Sequence, residues 1–409
     1  MDYQSVKTLL EQKGQLHLLK YYQELDENGK QKLLDSISQI DWSFEQILDT
    51  DEDLSDNGRD IKPISGLRVS EIEQRKQEFL SVGIKAIQDG KVAAVLLAGG
   101  MGTRLGVDGP KGAYDIGVTK PLYIFEQQMK NLKEVNDLCG CIVPLYVMTS
   151  DKNHSETVSF WAEHGYFGYP ESEVKFFKQE MAPAIDFDGK VILESKDTVA
   201  MSPNGNGGWY LSMKKAGLDK DLEKRGIKWL NIYAVDNVLQ RIADPVFVGA
   251  TILSKVNCGA KAVFKNNPYE KVGVLCLDNG KPSVIEYYEL TDAMANAIDD
   301  KGSLLYGYGV IMNYLFNVDK LEEIVNVKIP VHKVKKKVES IDEQGKTYRP
   351  EKENGIKFEV LAVDLVALME KVLPYEVIRE REFAPIKNKT GVDSVESARK
   401  LLQLNGVEL

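Results

Sequence analysis

The sequence predicts an α/β protein whose central sheet is covered by helices on both faces. Two observations support this prediction. From Lys91 onward, short apolar runs such as VAAVLLA and WLNIYAVDN alternate with polar helical segments, as expected for buried strands in a doubly covered sheet. Before that point, apolar residues recur at helical spacing at Leu33, Leu34, Ile37 and Ile40, which predicts a helical amino-terminal region.

The length of 409 residues exceeds one ordinary core and suggests two or three domains. We predict an N-terminal helical region over 1–88, a central α/β domain over 89–330 and a small C-terminal α+β domain over 331–409. Ser70 and Glu73 form the pattern of a capping box at a helix start. The last helix, in SVESARKLLQLNG, is led by Asp393 and closed by Gly406.

Composition and charge limit the possible partners. With 43% hydrophobic and 28% charged residues, the chain is typical of a soluble globular protein. A net charge of −10 argues against nucleic acid as a partner, because phosphate backbones need clustered cations. We expect no membrane association and a cytoplasmic location, because neither a long apolar stretch nor a signal-peptide pattern is present. The sequence does not indicate an oligomeric state.

Two smaller features complete this overview. The four cysteines, at 139, 141, 258 and 276, have neither metal-ribbon nor disulfide-framework spacing, so we predict mostly buried thiols. The basic run HKVKKKVESID, from His332 to Asp342, alternates lysine with valine. This pattern favours an edge strand with a solvated lysine face, and a binding patch is the alternative.

The glycine-rich stretch GGMGTRLG follows the first predicted central strand, VAAVLLA. Loops at the carboxyl ends of strands are where open α/β sheets bind ligands. Glycines let a backbone approach an anion and turn its N–H groups toward it. Arg104 adds a planar set of donors that suits phosphate. The stretch therefore predicts a phosphate-binding loop.

Two common phosphate motifs do not match this loop. A P-loop needs G-x-x-x-x-G-K-[ST], but Lys111 stands five residues beyond Gly106 and is followed by Gly112. A dinucleotide fingerprint needs G-x-G-x-x-G, but Gly100, Gly102 and Gly106 are spaced G-x-G-x-x-x-G. A nicotinamide-dependent oxidoreductase is therefore disfavoured.

A larger set of motifs resembles the eukaryotic-type UDP-sugar pyrophosphorylase family. It comprises LAGGMGTRLGVDGPKGAYDIG, FFKQEMAPAIDFDGKVILESKDTVAMSPNGNGGWY, IYAVDN, NPYEKVGVLCLDNGKPSVIEYYEL and EFAPIKN, in the order of the family and over most of the chain. The resemblance implies a Rossmann-like mixed-sheet nucleotidyltransferase core, with the nucleotide-binding catalytic domain at 89–330. PNGNGGWY resembles the UDP-N-acetylglucosamine branch.

The reaction implied is UTP plus N-acetylglucosamine 1-phosphate giving UDP-N-acetylglucosamine and pyrophosphate. Such an in-line displacement depends on positioning and charge neutralisation and needs no covalent nucleophile. The alternative within the family is a UDP-glucose or broad-specificity UDP-sugar pyrophosphorylase. A catalytically silent scaffold is a further alternative, which the retention of four charged groups, Arg104, Lys111, Asp236 and Lys387, argues against.

The resemblance also implies roles for individual residues. Arg104, Lys111 and Lys387 would be the catalytic cations. Asp236 would bind Mg²⁺ or another divalent cation, as a hard oxygen ligand, and Asn237 would support it. Gly273 and Glu286 would bind the sugar. The nucleotide would lie against Ala98, Gly99, Gly100, Gly102, Thr103, Gln179, Gly205, Asn206 and Asp236, with Gln179 facing the uracil ring and the loop glycines and Thr103 offering N–H groups.

The chain departs from the family in the predicted sugar pocket. Where the family reads close to F-N-A-G-N, this chain has YGYGV, so Gly307 stands in place of an asparagine. Leu361 and Val363 replace aromatic residues after NGIK. Tyr308 or Asn313 would be a substitute for the missing amide. These departures concern the sugar specificity rather than the UTP chemistry.

Overall fold

A mixed ten-stranded sheet is the centre of the fold in the computed structural model, which describes residues 1–45, 59–327 and 329–409. The predicted α/β class is confirmed. In chain order the strands are β1 (Ile61–Pro63), β2 (Val92–Leu97), β3 (Leu145–Thr149), β4 (Val174–Lys178), β5 (Met181–Pro183), β6 (Leu193–Ser195), β7 (Thr198–Val199), β8 (Met201–Pro203), β9 (Trp229–Ala234), β10 (Cys258–Phe264), β11 (Val274–Asp278), β12 (Lys281–Ile285), β13 (Tyr308–Asn317), β14 (His332–Lys336), β15 (Ser340–Ile341), β16 (Thr347–Tyr348), β17 (Gly355–Glu359) and β18 (Val372–Val377).

Side chains that accept an N–H group of the first turn precede several of the helices, as at Asp2, Asp26 and Asp244. In chain order the helices are α1 (Tyr3–Gln12), α2 (Glu27–Ser38), α3 (Val69–Gln74), α4 (Lys76–Gln88), α5 (Ile124–Cys139), α6 (His154–Glu163), α7 (Trp209–Lys215), α8 (Asp219–Arg225), α9 (Pro245–Leu253), α10 (Asp292–Ala295), α11 (Val318–Ile324), α12 (Ala362–Leu368), α13 (Arg379–Glu382) and α14 (Val395–Leu404). The predicted cap at Ser70 is wrong, because α3 begins two residues earlier, where the Arg68 N–H donates to Glu71 Oε2. Helix α14 is capped by Ser394 rather than Asp393.

The chain forms two compact units that do not follow the predicted boundaries at 88 and 330. The smaller unit draws on Met1–Asp56, Glu180–Gly208 and Ile329–Leu361. The larger unit contains Asn57–Gln179, Trp209–Lys328 and Ala362–Leu409. The difference arises because strands and helices far apart in sequence share a core.

In the larger unit, four neighbouring strands run parallel in the order β9-β2-β3-β4. Every residue of β2 is buried, in line with the predicted central strand. Leu97, the last residue of β2, pairs with Ala234 at the end of β9 and with Met148 near the end of β3. The carboxyl ends of these strands therefore meet at one edge of the sheet.

The remaining strands of this sheet are mostly antiparallel. The long strand β13 pairs with β9, β10 and β11, and β18 pairs in parallel with β10. Helices α4 and α9 pack at backbone distance, since a Cβ added at Gly83 would lie 1.7 Å from the Pro245 carbonyl oxygen. Residues 69–88, predicted as part of the N-terminal region, thus belong to the larger unit.

The smaller unit has its own hydrophobic core. Leu33 and Ile37 of α2 are buried there with Ile185, Val199 and Phe358. Its strands form the two-stranded pairs β5-β8, β6-β7, β14-β17 and β15-β16. The predicted edge strand in the basic run is confirmed as β14.

Two further predictions concern the chain as a whole. The four cysteines are free thiols, of which Cys139, Cys258 and Cys276 are buried and Cys141 is half-buried, so that prediction is confirmed. Burial raises the pKa of the Cys139 thiol to about 11. Among the described residues, none of the helices has the length and apolar character needed to cross a membrane.

Candidate active site

The glycine-rich loop leaves the sheet at the end of β2 and is closed by two backbone hydrogen bonds. The Gly102 N–H donates to the Gly109 carbonyl at 2.8 Å, and the Lys111 N–H donates to the Gly100 carbonyl at 3.1 Å. The segment between Gly102 and Gly109 is the closed part of the loop. It begins with a single 3₁₀ turn, Thr103–Leu105, which ends at Gly106, whose φ is +76°. This left-handed conformation favours glycine. The loop is therefore a defined turn that exposes Arg104.

Three of the predicted backbone donors remain open. The N–H groups of Gly99, Gly100 and Thr103 donate no hydrogen bond to any residue among 1–45, 59–327 and 329–409. Exposed backbone N–H groups of this kind suit an anion. Gly102 differs from the prediction, because its N–H is already used by Gly109. It therefore closes the loop instead of offering a donor.

Gln179 follows β4 directly and lies against the start of this loop. Its backbone N–H donates to the Thr149 carbonyl at 2.8 Å, which continues the strand pairing by one residue. Its side chain is 8% exposed. A Cβ added at Gly99 would lie 2.7 Å from Gln179 Oε1, so glycine at this position leaves room for the amide. The structure thus brings Gln179, Gly99 and the buried Ala98 to the same edge.

Lys111 is the electrostatic centre of the predicted cations. Burial lowers the pKa of Lys111, and the positive charges of Arg104 and Lys387 lower it further, whereas Asp236 acts in the opposite direction. Arg104, Asp236 and Lys387 therefore each lie within electrostatic range of Lys111. Lys111 is half-buried.

A carboxy-terminal segment brings Lys387 to this edge. The Ile386 N–H donates to the Asp236 carbonyl at 2.9 Å. Asn237 fixes the same segment with two hydrogen bonds, because its Nδ2 donates to the Glu382 carbonyl at 2.7 Å and its Oδ1 accepts from the Ala384 N–H at 2.9 Å. The turn that contains Asp236 and the segment that leads to Lys387 are thus joined by hydrogen bonds.

The predicted sugar residues also lie close to each other. A Cβ added at Gly273 would lie 3.6 Å from Glu286 Oε1. Burial and the neighbouring Glu289 raise the pKa of Glu286, and Lys387 lowers it. Glu289 Oε2 also accepts the Glu286 N–H at 2.7 Å. Lys387 is therefore electrostatically coupled to both Lys111 and Glu286.

Gly205 and Asn206 belong to the smaller unit. Gly205 has a φ of +89°, and a Cβ there would lie 2.2 Å from the Val360 carbonyl oxygen. Within that unit the 204–208 loop is held by Val360, whose N–H donates to the Asn204 carbonyl at 2.7 Å. The role of Gly205 and Asn206 toward a nucleotide stays a prediction.

A profile of the UTP–glucose-1-phosphate uridylyltransferase family matches residues 33–406. The chain belongs to this family. The predicted membership of the UDP-sugar pyrophosphorylases is thereby confirmed, and the chain is a nucleotidyltransferase.

Individual relatives cover nearly the whole chain. The UDP-N-acetylhexosamine pyrophosphorylase-like protein 1 of Homo sapiens is 37% identical and covers 98% of this chain and 83% of its own length. The UDP-N-acetylglucosamine pyrophosphorylase of Saccharomyces cerevisiae is 35% identical, with 96% and 88% covered. The crystal structure of the Trypanosoma brucei uridine diphosphate N-acetylglucosamine pyrophosphorylase superimposes with a TM-score of 0.82 at 27% identity, over 98% of this chain and 84% of that one.

The departure from the family at Gly307 has a steric explanation. A Cβ added at Gly307 would lie 2.2 Å from the ring of Phe264. That ring is held by the Arg68 guanidinium, which lies 3.5 Å from its centroid. The space beside Gly307 is therefore already filled, and an asparagine side chain does not fit there.

Neither of the two proposed substitutes for that amide is free. The prediction for Asn313 is wrong, because this residue is fully buried and its amide is already used. Its Oδ1 accepts from Asn231 at 2.8 Å, and its Nδ2 donates to Gln240 at 3.2 Å. Tyr308 is 6% exposed, and burial raises its pKa to about 12. Both side chains belong to the core around β13.

The sequence analysis missed two buried amides that hold the family's loops in place. Asn153 Nδ2 donates to the Ala98 carbonyl at 2.9 Å and to the Gly100 carbonyl at 3.3 Å. Gln128 Nε2 donates to the Val235 carbonyl at 3.1 Å. Asn153 follows β3 in the stretch TSDKN, so its position after a buried strand was a usable signal. Gln128 lies inside a helix and had none.

The donor set at Asp236 fits a metal ion that arrives with its substrate. In the described part of the chain, no group of three or more His, Cys, Asp or Glu residues is arranged to hold a metal. Mg²⁺ commonly binds through one or two carboxylates together with substrate phosphates. A single half-buried Asp236 beside the loop matches that mode.

A separate cavity of about 390 Å³ lies in the larger unit. Its lining includes Glu73, Arg241, Asp244, Tyr375 and Glu382, and none of the predicted site residues. Two of its carboxylates already have a buried cation as partner, since Lys261 Nζ lies 2.5 Å from Glu382 Oε2 and 3.6 Å from Asp244 Oδ2. We therefore assign it no part in the site.

Proposed function

We propose that this chain transfers uridylyl from UTP to N-acetylglucosamine 1-phosphate and releases pyrophosphate. The observation that carries the proposal is that the glycine-rich loop with Lys111, the Asp236 turn and the segment that bears Lys387 meet at the carboxyl edge of the parallel strands, joined by hydrogen bonds from Lys111 to Gly100 and from Ile386 to Asp236. The yeast and trypanosome relatives, both named UDP-N-acetylglucosamine pyrophosphorylases, support the choice of sugar.

The residues would work mainly by holding two anions together. The open N–H groups of Gly99, Gly100 and Thr103 would bind UTP phosphates, with Arg104 and Lys111 offsetting their charge. Lys387, coupled to both Lys111 and Glu286, would bind the phosphate of the incoming sugar. Its oxygen would then attack the α-phosphorus in line, as positioning and charge neutralisation suffice for such a transfer.

Other predicted contacts would orient the two substrates. The Gln179 amide offers one acceptor and one donor group, which matches the imide edge of uracil. Gly205 and Asn206 would complete the uridine contacts. Glu286 beside Gly273 would accept hydrogen bonds from sugar hydroxyls, and the glycine leaves space for the ring.

We further propose that Asp236 holds Mg²⁺ or another divalent cation together with the phosphates. Such an ion neutralises charge on the triphosphate and on the departing pyrophosphate. Asp236→Asn should raise the Mg²⁺ concentration needed for half-maximal turnover at least severalfold, because a neutral amide is a weaker ligand. Titrating MgCl₂ against the rate measures this. An unchanged requirement would remove Asp236 from the metal site.

A UDP-glucose or broad-specificity pyrophosphorylase is the second candidate. It is favoured by the absence of the family's asparagine at Gly307, where the Phe264 ring fills the space that a side chain would need. The human relative is named for N-acetylhexosamine, a term that includes both N-acetylglucosamine and its galactose epimer. The chemistry of UTP activation is the same for these alternatives.

One assay separates the candidates. Purified protein with UTP and Mg²⁺ is offered N-acetylglucosamine, N-acetylgalactosamine, glucose and galactose 1-phosphates, and pyrophosphate release is followed. We expect the highest kcat/KM with N-acetylglucosamine 1-phosphate. A preference for glucose 1-phosphate supports the second candidate, and no release with any sugar contradicts the proposal.

We also propose a cytoplasmic location. Four free thiols fit a reducing compartment, where thiols persist. Cell fractionation with a compartment marker tests this, and recovery in a secretory fraction contradicts it.

A further inference from the structure

Lys389, two residues beyond Lys387, lies against the closed part of the glycine-rich loop. A Cβ added at Gly106 would lie 2.6 Å from Lys389 Nζ and 3.0 Å from its Cε. The ammonium group thus lies over the loop backbone at Gly106, on the side where a side chain at that position would contact it. Gly106 has a φ of +76°, so glycine is favoured there for its backbone conformation as well.

This ammonium group is not neutralised by the protein. Lys389 forms no salt bridge within 1–45, 59–327 and 329–409, whereas the nearby Lys387 has Asp393 at 3.3 Å. Lys389 is exposed, so its charge is available to a ligand. A cation that lies next to an anion-binding loop without a carboxylate partner suits a phosphate ligand.

The position of Lys389 along the loop indicates which phosphate it would meet. Lys111 and Gly100 close the base of the loop next to the sheet, on the side of Asp236. Gly106 lies between Gly102 and Gly109, which are joined by the other closing hydrogen bond. It therefore occupies the turn of the loop that is farther from the sheet. A ligand whose reacting phosphate lies near the base would extend its other phosphates toward that turn.

We propose that Lys389 binds the terminal phosphates of the nucleotide and the pyrophosphate that they become. This inference rests on the proposed function and adds one contact to it. Lys389 makes and breaks no covalent bond in the reaction. It stabilises the leaving group by charge, together with Arg104.

The test compares nucleotides that differ only in their terminal phosphates. UTP and UMP binding are measured by calorimetry, and pyrophosphate by its inhibition of the forward reaction, for Lys389→Gln, Lys389→Arg and the unchanged protein. Lys400→Gln is the matched control, since Lys400 is an exposed lysine on α14. We expect Lys389→Gln to weaken UTP and pyrophosphate about tenfold, the loss of one charge-assisted hydrogen bond.

The expected pattern also includes unchanged UMP binding, near-normal UTP binding by Lys389→Arg, and no effect of Lys400→Gln. Unchanged UTP binding by Lys389→Gln overturns the inference, and so does an equal loss for UMP and UTP. The proposed function is judged separately on the unchanged protein. If that protein binds UTP and releases pyrophosphate, the proposed function stands and the variants test only the role of Lys389. If it does neither, both are overturned.

Discussion

Lys111 is proposed to act as a cation, but its surroundings disfavour its charged form. Because burial and two neighbouring cations lower its pKa, its protonated form is less stable in the folded chain than in the unfolded one. That cost is fully present below the folded pKa and disappears as pH rises through the unfolded value. Bound phosphates would reverse the effect by adding negative charge next to the ammonium group.

The lowered pKa of Lys111 predicts an alkaline loss of activity. The protonated lysine is the form that offsets phosphate charge, so kcat/KM for UTP should fall as pH rises through the pKa of the free enzyme. Lys111→Arg should retain activity to higher pH, because guanidinium stays protonated. Initial rates at subsaturating UTP over a pH series measure this, with Lys400→Arg as the control. Coincident profiles for Lys111→Arg and the unchanged protein would contradict it.

Gly307 gives a second prediction about a single position. Gly307→Asn should lower the free energy of unfolding by about 1–3 kcal/mol, the usual cost of overpacking, because the Phe264 ring is held by Arg68 and cannot yield easily. Urea denaturation measures the loss. Gly302→Asn is the control, since Gly302 has open space and a φ of +78°, which asparagine tolerates. Equal stability of both variants would show that the Phe264 ring moves away.

Single residues were predictable where a strand ends. Asp236, Gln179 and the glycine loop each follow an apolar run, and the structure places all three at the carboxyl edge of parallel strands. The lowered pKa of Lys111 was not predictable, because the charges that act on it come from positions 104, 236 and 387. The hydrogen bonds of Asn313 were equally hidden, since its partners lie at positions 231 and 240.

Among the secondary-structure elements, the pairing of the Asp236 turn with the segment before Lys387 matters most for the site. Asn237 and Pro385 form an isolated β-bridge, and the side chain of Asn237 ties the same two segments together. The Asn237 side chain therefore acts together with the backbone hydrogen bond from Ile386 to Asp236 to position Lys387.

Asn237→Ala should cost about 2–4 kcal/mol of stability, because it leaves the Glu382 carbonyl and the Ala384 N–H buried without partners. It should also lower kcat, since Lys387 loses its fixed position. Asn405→Ala is the control, because Asn405 Nδ2 donates to the Glu380 carbonyl at 2.7 Å at the end of the segment away from Lys387. Urea denaturation and turnover are measured on both. If Asn237→Ala keeps the original kcat, the amide does not position Lys387.

The main strands and helices could be read from local pattern, but the pairing of short strands could not. VAAVLLA is an unbroken apolar run, WLNIYAV is interrupted by Asn231, and the two became β2 and β9. Strands such as β6 and β7, at Leu193–Ser195 and Thr198–Val199, are too short to show a period. The helix caps were misplaced by one or two residues, because several polar residues compete at each helix start.

For the molecule as a whole, the two units have separate hydrophobic cores. Their boundaries were missed because contacts between segments far apart in sequence leave no local signal. The three parts of the smaller unit should gain and lose structure together, since they share one core.

Leu33→Ala tests this cooperativity. Leu33 is fully buried in the smaller unit, so the substitution should cost about 2–5 kcal/mol. Hydrogen exchange should accelerate together in described residues of 1–45, 180–208 and 329–361, and remain slow in β2 and β9. Faster exchange confined to 1–45 would contradict a shared core. Leu16→Ala is the control, because Leu16 is 44% exposed.

The three-part composition of the smaller unit affects how the chain is made. Its first helices leave the ribosome roughly 300 residues before its last strands, a delay of about 15–60 s at ~5–20 residues per second. During translation the apolar faces of α1 and α2 stay without their final neighbours, while most of the larger unit is being synthesised. Nascent chains of this protein should therefore depend on chaperones that shield newly made helices.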